Sequence, residues 1–224
     1  MVARWNIIRG ARAVSVGLLA GLMSQAVAAA DVKVEFSDFL AERMGRISAI
    51  EKEHEKFFRE YRAEGRRQPS ISVQKNKNRF LDAEWGNERL VEDVRAYSVP
   101  ALAQAMMEHG IKEAKPDFDG RIVLHIDRMK VANFSLSVLR ASRSQIRGTV
   151  DVFDAAGNLV ATHKVSTTLF PKYTQSRKYQ GPDYAYLAPA AGLRVGPVLA
   201  QFTEEALEKV FPGYDAPSAI LVRG

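Results

Sequence analysis

The chain has 224 residues, 46% hydrophobic and 26% charged, enough for one domain with a sizeable core. It contains no cysteine, which excludes disulfides, thiolate chemistry and cysteine-bound zinc. A formal net charge of +6 permits contact with acidic surfaces and does not demand nucleic acid.

The first 30 residues read as a secretory leader. Arg4, Arg9 and Arg12 precede an apolar run from Ala13 to Leu22, and the tract AVAAA ends at Ala30 before the first acid, Asp31. A basic start, a short apolar centre and an A-x-A-like site are the features that signal peptidase reads, with cleavage expected after Ala30, or alternatively after Ala28. Gly17, Gly21, Ser24 and Gln25 make the run a poor membrane span. The expected product is a soluble periplasmic protein of a Gram-negative cell. Loss of the three leader arginines leaves 29 basic side chains of the 32 against 26 acidic ones, a net charge of +3.

From Ser37 to Gly65 the spacing of Phe39, Leu40, Met44, Ile47, Ile50, Phe57, Phe58 and Tyr61 predicts a helix whose other faces are charged. Ser37 or Asp38 can cap it, and Glu55 to Arg59 is a favourable pair one turn apart. Residues 31–68 are expected to be a helical arm, able to dock on the domain or on a partner, or to self-associate. The stretch from Gly65 to Phe80 reads as a basic loop, with a short strand at Ile71–Val73 and a first cationic group of Arg66, Arg67, Lys75, Lys77 and Arg79.

A second helix is expected over Asn87–Tyr97 and a third over Pro100–His109, stopped by Gly110. Alternation predicts strands over Ile122–Val131, Phe134–Leu139, Gln145–Phe153 and Leu159–Leu169, with the last two forming a hairpin through DAAGN. A long loop rich in Tyr, Pro and Lys follows over 170–192, then a helix over Arg194–Phe211. The tail, residues 215–224, carries a short strand at Ala219–Val222 or is loose. The expected fold is α+β. A three- or four-stranded antiparallel sheet with a long hairpin packs on two helices within residues 69–214, behind the charged helix.

Chemistry was sought in the four histidines. His54 stands in HEKF, without the second histidine of a zincin helix. His109 ends a predicted helix, where the dipole favours a cation. His125 and Asp127 on one strand and His163 on another could cluster if their strands paired suitably, which would suit a hydrolase or a metal-dependent enzyme. Otherwise they are plain strand residues. Asp117–Arg121, DFDGR, fits a tight turn better than a calcium loop, because the later ligands are missing. No nucleophile elbow, Walker loop or dinucleotide fingerprint occurs, and no cofactor or metal is expected.

The cationic segments are stronger candidates. Arg140, Arg143 and Arg147 form one. Lys172, Arg177 and Lys178, interleaved with Tyr173, Tyr179, Tyr184 and Tyr186, form another, able to hold a glycan or an anionic headgroup by stacking and charge. The alternative for each is a solvated loop.

The phrases IVLHIDRMKV, VDVFDAAGNLVATHKV and VGPVLAQFTEEALEKVF resemble small Gram-negative envelope proteins, many of them lipoproteins of unassigned function. The resemblance covers Val91–Gly213 and implies a helix-flanked antiparallel sheet. The leader, the lack of catalytic motifs, the Tyr-rich basic loop and the charged helix lead to the expectation of a non-enzymatic accessory role, with an envelope protein or an anionic envelope surface as partner. This chain departs from the envelope proteins it resembles in lacking the lipid-bearing cysteine.

Overall fold

The computed structural model describes residues 31–67, 86–132, 143–175, 178–179, 183–188 and 195–223. The leader, the loop after residue 67, the strand expected over 134–139, Arg140 and Arg177 lie outside them. The fold is α+β, with a four-stranded sheet, a three-stranded sheet and four described α-helices.

The chain enters through strand β1 (Asp31–Phe36), which alternates Val32, Val34 and Phe36 toward the core with Lys33 and Glu35 away from it. Helix α1 (Asp38–Arg67) follows, then α2 (Gly86–Leu90), a 3-10 turn at Val94–Ala96, and α3 (Val99–Ala114). This helical run is a crossover, so β1 lies parallel to β2 (Arg121–Lys130), Val32 against Ile122 and Val34 against Leu124. Strands β3 (Gln145–Phe153) and β4 (Leu159–Thr168) complete an antiparallel series in the order β1-β2-β3-β4. The sheet is therefore mixed, a correction to the purely antiparallel expectation. A strand at residues 31–36 was not foreseen, because six residues cannot announce a partner some 90 positions away.

Strand β1 and the part of α1 up to Phe58 pack into the main core. Leu40 and Met44 of α1 are buried in the main core, with Ile47 and Phe58 packed against it. The expected helix over 87–97 is broken for a local reason. The Arg59 guanidinium takes the carbonyls of Val91 at 2.9 Å and Glu92 at 2.7 Å, groups that a continuing helix would have used. Helix α3 is capped by the Ser98 hydroxyl, which accepts from Ala101 N–H at 3.2 Å, and it runs through the expected stop at Gly110. That glycine is a notch, not a cap: a Cβ there would collide with the Leu207 side chain on helix α4 (Val195–Val210).

Part of the expected loop over 170–192 is strand. β5 (Lys172–Gln175) and β6 (Tyr184–Ala188) flank β7 (Ala219–Arg223), all parallel, in the order β5-β7-β6. The tail thus supplies the central strand of a second sheet, with Ala216, Ser218, Ala219 and Val222 buried. Tyr184 and Tyr186 join the same core as α3, α4 and the inner face of the first sheet.

Candidate functional site: the open face of the four-stranded sheet

One face of the first sheet carries Ile122, Leu124, Ile126, Ile146 and Val150 into the core beneath α3 and α4. The other face is mostly polar, with Val123 buried among its charged and hydroxyl side chains. Its rows follow from the register. Lys33, Val123, Asp151 and Thr162 make one row; Glu35, His125, Thr149 and Lys164 make the next.

A chain of polar contacts spans the four strands. Lys33 Nζ meets Glu35 Oε1 at 2.6 Å, and Glu35 Oε2 meets His125 Nδ1 at 3.0 Å. His125 Nε2 meets Asp151 Oδ2 at 3.1 Å, and the Thr162 hydroxyl donates to Asp151 Oδ1 at 2.6 Å. Lys33 beside Glu35 holds that carboxyl below its ordinary range, with His125 adding to the effect. Both imidazole nitrogens of His125 face carboxylate oxygens.

The expected His125, Asp127 and His163 cluster is not assembled. His163 is the register partner of core-facing Val150, whereas His125 is level with Thr149, so the two rings leave opposite faces of the sheet. Asp127 is the extra residue of a bulge between Ile126 and Arg128. Among the described residues no group of three or more His, Asp or Glu is arranged to hold a metal ion.

The bulge shapes the far end of this face. Before it, alternation places Ile122, Leu124 and Ile126 inward, a phase that would turn Arg128 into the core as well. One inserted residue reverses the phase: Arg128 stands opposite Arg147 on the exposed side, and Met129 turns inward opposite Ile146. Ser37 satisfies the local backbone, its N–H donating to Ile126 O at 3.1 Å and its hydroxyl to Asp127 O at 2.9 Å. Gly148 makes room, because a Cβ there would strike the carbonyl oxygen of His125.

The result is a basic end. Arg128 and Arg147 are exposed and directly opposed, Lys130 lies beyond them opposite Gln145, and no ion pair or hydrogen bond engages any of the three among the described residues. At the same end Arg143 lies 4.2 Å over the ring of Phe170, which is 61% exposed.

The expected tyrosine-and-cation group divides. Tyr184 and Tyr186 are buried, Tyr184 donating to Met106 O at 3.4 Å, so neither can serve as a stacking platform. Their alternation with Ala185 in a strand turns both rings to the core. Lys172, Tyr173 and Lys178 are exposed, but Lys172 Nζ is committed to Ser218 Oγ at 2.8 Å. Tyr179 is half-buried and donates to Asp183 O at 3.1 Å. Of the arginine group, Arg143 and Arg147 are both at the basic end.

Sequence reasoning missed Arg128, although its signal was present. The apolar positions step 122, 124, 126 and then 129, 131, a one-residue phase slip that marks a bulge. It also missed a buried polar knot beneath α1. Glu55 Oε1 receives Arg59 Nε at 2.8 Å and its Oε2 receives Asn87 Nδ2 at 3.0 Å. Tyr186 donates to Asn87 Oδ1 at 3.2 Å, and Val195 N–H, at the start of α4, donates to Glu51 Oε2 at 3.3 Å. Burial, reinforced by Glu55 and Glu51, pushes the Tyr97 hydroxyl far above its ordinary range, and burial does the same to Tyr186. Closed to solvent, these groups lock α1, α2, α4 and β6 together.

Fold and face together define an α+β protein whose mixed four-stranded sheet has, among the described residues, an exposed, charged surface. No protein-family model, no curated protein and no solved structure matches the chain.

Proposed function

We propose that this protein is exported to the periplasm through residues 1–30, cut after Ala30, and acts there as a non-enzymatic accessory protein of the envelope. In this reading the hairpin of β3 and β4, packed on the helices, is a rigid frame, and the open sheet face meets an envelope protein or an anionic envelope surface. The resemblance of Val91–Gly213 to small Gram-negative envelope proteins supports the same reading. The observation that carries it is the basic end of that face, where exposed cations stand without acidic partners among the described residues. Cations left unpaired on a rigid, exposed sheet suit recognition of an external anionic surface.

The test is expression of the full chain in a Gram-negative host, with fractionation and intact mass, and with a photo-crosslinkable residue at position 147. Periplasmic protein starting at Asp31 and adducts with envelope components are expected. Full-length chain in the cytosol, or a processed protein that yields no adduct, overturns the reading.

A further inference from the structure

The geometry points to a specific ligand chemistry for the basic end: we propose that Arg128 and Arg147, with Lys130 and the Arg143–Phe170 stack, bind the phosphate headgroups of an anionic lipid surface. The inference deepens the envelope reading above and rests on it.

Like charges directly opposite each other across two strands repel, and an ordinary sheet surface places an acid between them. Here Glu35 and Asp151 are both engaged by His125, Asp31 stands at the far end opposite Arg121, and exposed Asp127 in the bulge forms no ion pair with either arginine among the described residues. The arginine pair is also installed by a device. The Asp127 bulge, held by Ser37 and admitted by Gly148, turns Arg128 out beside Arg147. Two guanidinium forks on adjacent strands can grip a phosphate from both sides.

A membrane surface is favoured over a soluble anion by what lies beside the arginines. Phe170 is exposed, and its ring is covered by a further cation, Arg143. An aromatic ring among cations suits the boundary between headgroups and acyl chains, where the ring enters apolar surroundings and the cations stay with phosphate. Polar Ser166 and Thr168 on the neighbouring strand add donors at the same level.

The experiment is co-sedimentation with vesicles of phosphatidylcholine alone or with about 30% phosphatidylglycerol, a range in which each surface cation is worth about fivefold in partitioning. The protein is purified after expression of the full chain, with its N-terminus read by mass. Binding to the anionic vesicles alone is expected. Arg128→Gln/Arg147→Gln should reduce it about thirtyfold with unchanged circular dichroism. Phe170→Ser should weaken binding while leaving its salt dependence as it was. Equal binding to neutral vesicles, or undiminished binding by the double arginine variant, overturns the proposal. So does abolition of vesicle binding by millimolar inorganic phosphate at constant ionic strength, which would assign the site to a free anion. A protein processed at Asp31 that ignores anionic vesicles refutes the lipid site and leaves export standing. An unprocessed cytosolic chain refutes export, and vesicle binding is scored separately.

Discussion

The carbonyl oxygen of His125 occupies the space that a side chain on Gly148 would need. On the strand beside the bulge, this glycine lets β2 press onto β3 next to the extruded Asp127.

Gly148→Ala should therefore force either a backbone shift or loss of the bulge. Overpacking of this kind costs about 1–3 kcal/mol. Urea unfolding should show a lower midpoint with little change in slope. A midpoint equal to that of the parent protein would mean that the strands relax freely and that the bulge is not glycine-dependent.

The knot under α1 should respond non-additively. Glu55 is buried, and Arg59 is its charge partner at 2.8 Å. Arg59→Met strands a carboxylate in the interior, a loss of about 3–5 kcal/mol. Adding Glu55→Gln to that variant removes the stranded charge and should restore part of the stability. A double-mutant cycle by chemical denaturation that returns simple additivity would contradict the coupling.

Glu204 gives the protein a pH signature. Burial raises its carboxyl, against the Ser218 hydrogen bond at 2.9 Å, and Glu208 adds to the rise. Its folded pKa thus exceeds its unfolded one, so the folded chain binds more protons between the two values. Stability from this group is present at low pH and is lost as pH rises from the ordinary carboxylate range through the raised folded value. Glu204→Gln should lack that decline when urea midpoints are followed from about pH 4 to 7. Parallel profiles for the two proteins would show that this carboxyl is not responsible.

Ending the chain after Tyr214 should dismantle the second sheet. β7 is hydrogen-bonded to both β5 and β6, and Ser218 joins Lys172 to Glu204. Without it, the edges of two short strands face solvent and Tyr184 and Tyr186 lose cover. The truncated protein should bind a hydrophobic dye and be cleaved by protease between residues 172 and 188. Protease resistance matching that of the full chain would show the tail to be dispensable.

Much of the architecture was readable from local pattern. The alternation in Gln145–Phe153 and Leu159–Thr168 and the helical spacing of Val195, Val198, Leu199 and Phe202 mark these elements without reference to partners. Gly157 takes positive φ between β3 and β4, as its place in DAAGN suggests.

What local pattern could not fix was pairing. Whether β1 runs parallel to β2, whether the tail enters a sheet, and whether His163 shares a face with His125 depend on contacts between distant residues. Hydrophobic periodicity specifies how one segment divides its faces. It carries no information on which segment lies alongside, because backbone hydrogen bonds are the same for every partner. The sequence alone determined an α+β chain with strands β2, β3 and β4, the long helices α1, α3 and α4, and a surplus of cations. Only the tertiary structure decided that a one-residue bulge turns Arg128 outward to stand against Arg147, because that orientation is set by register across two strands.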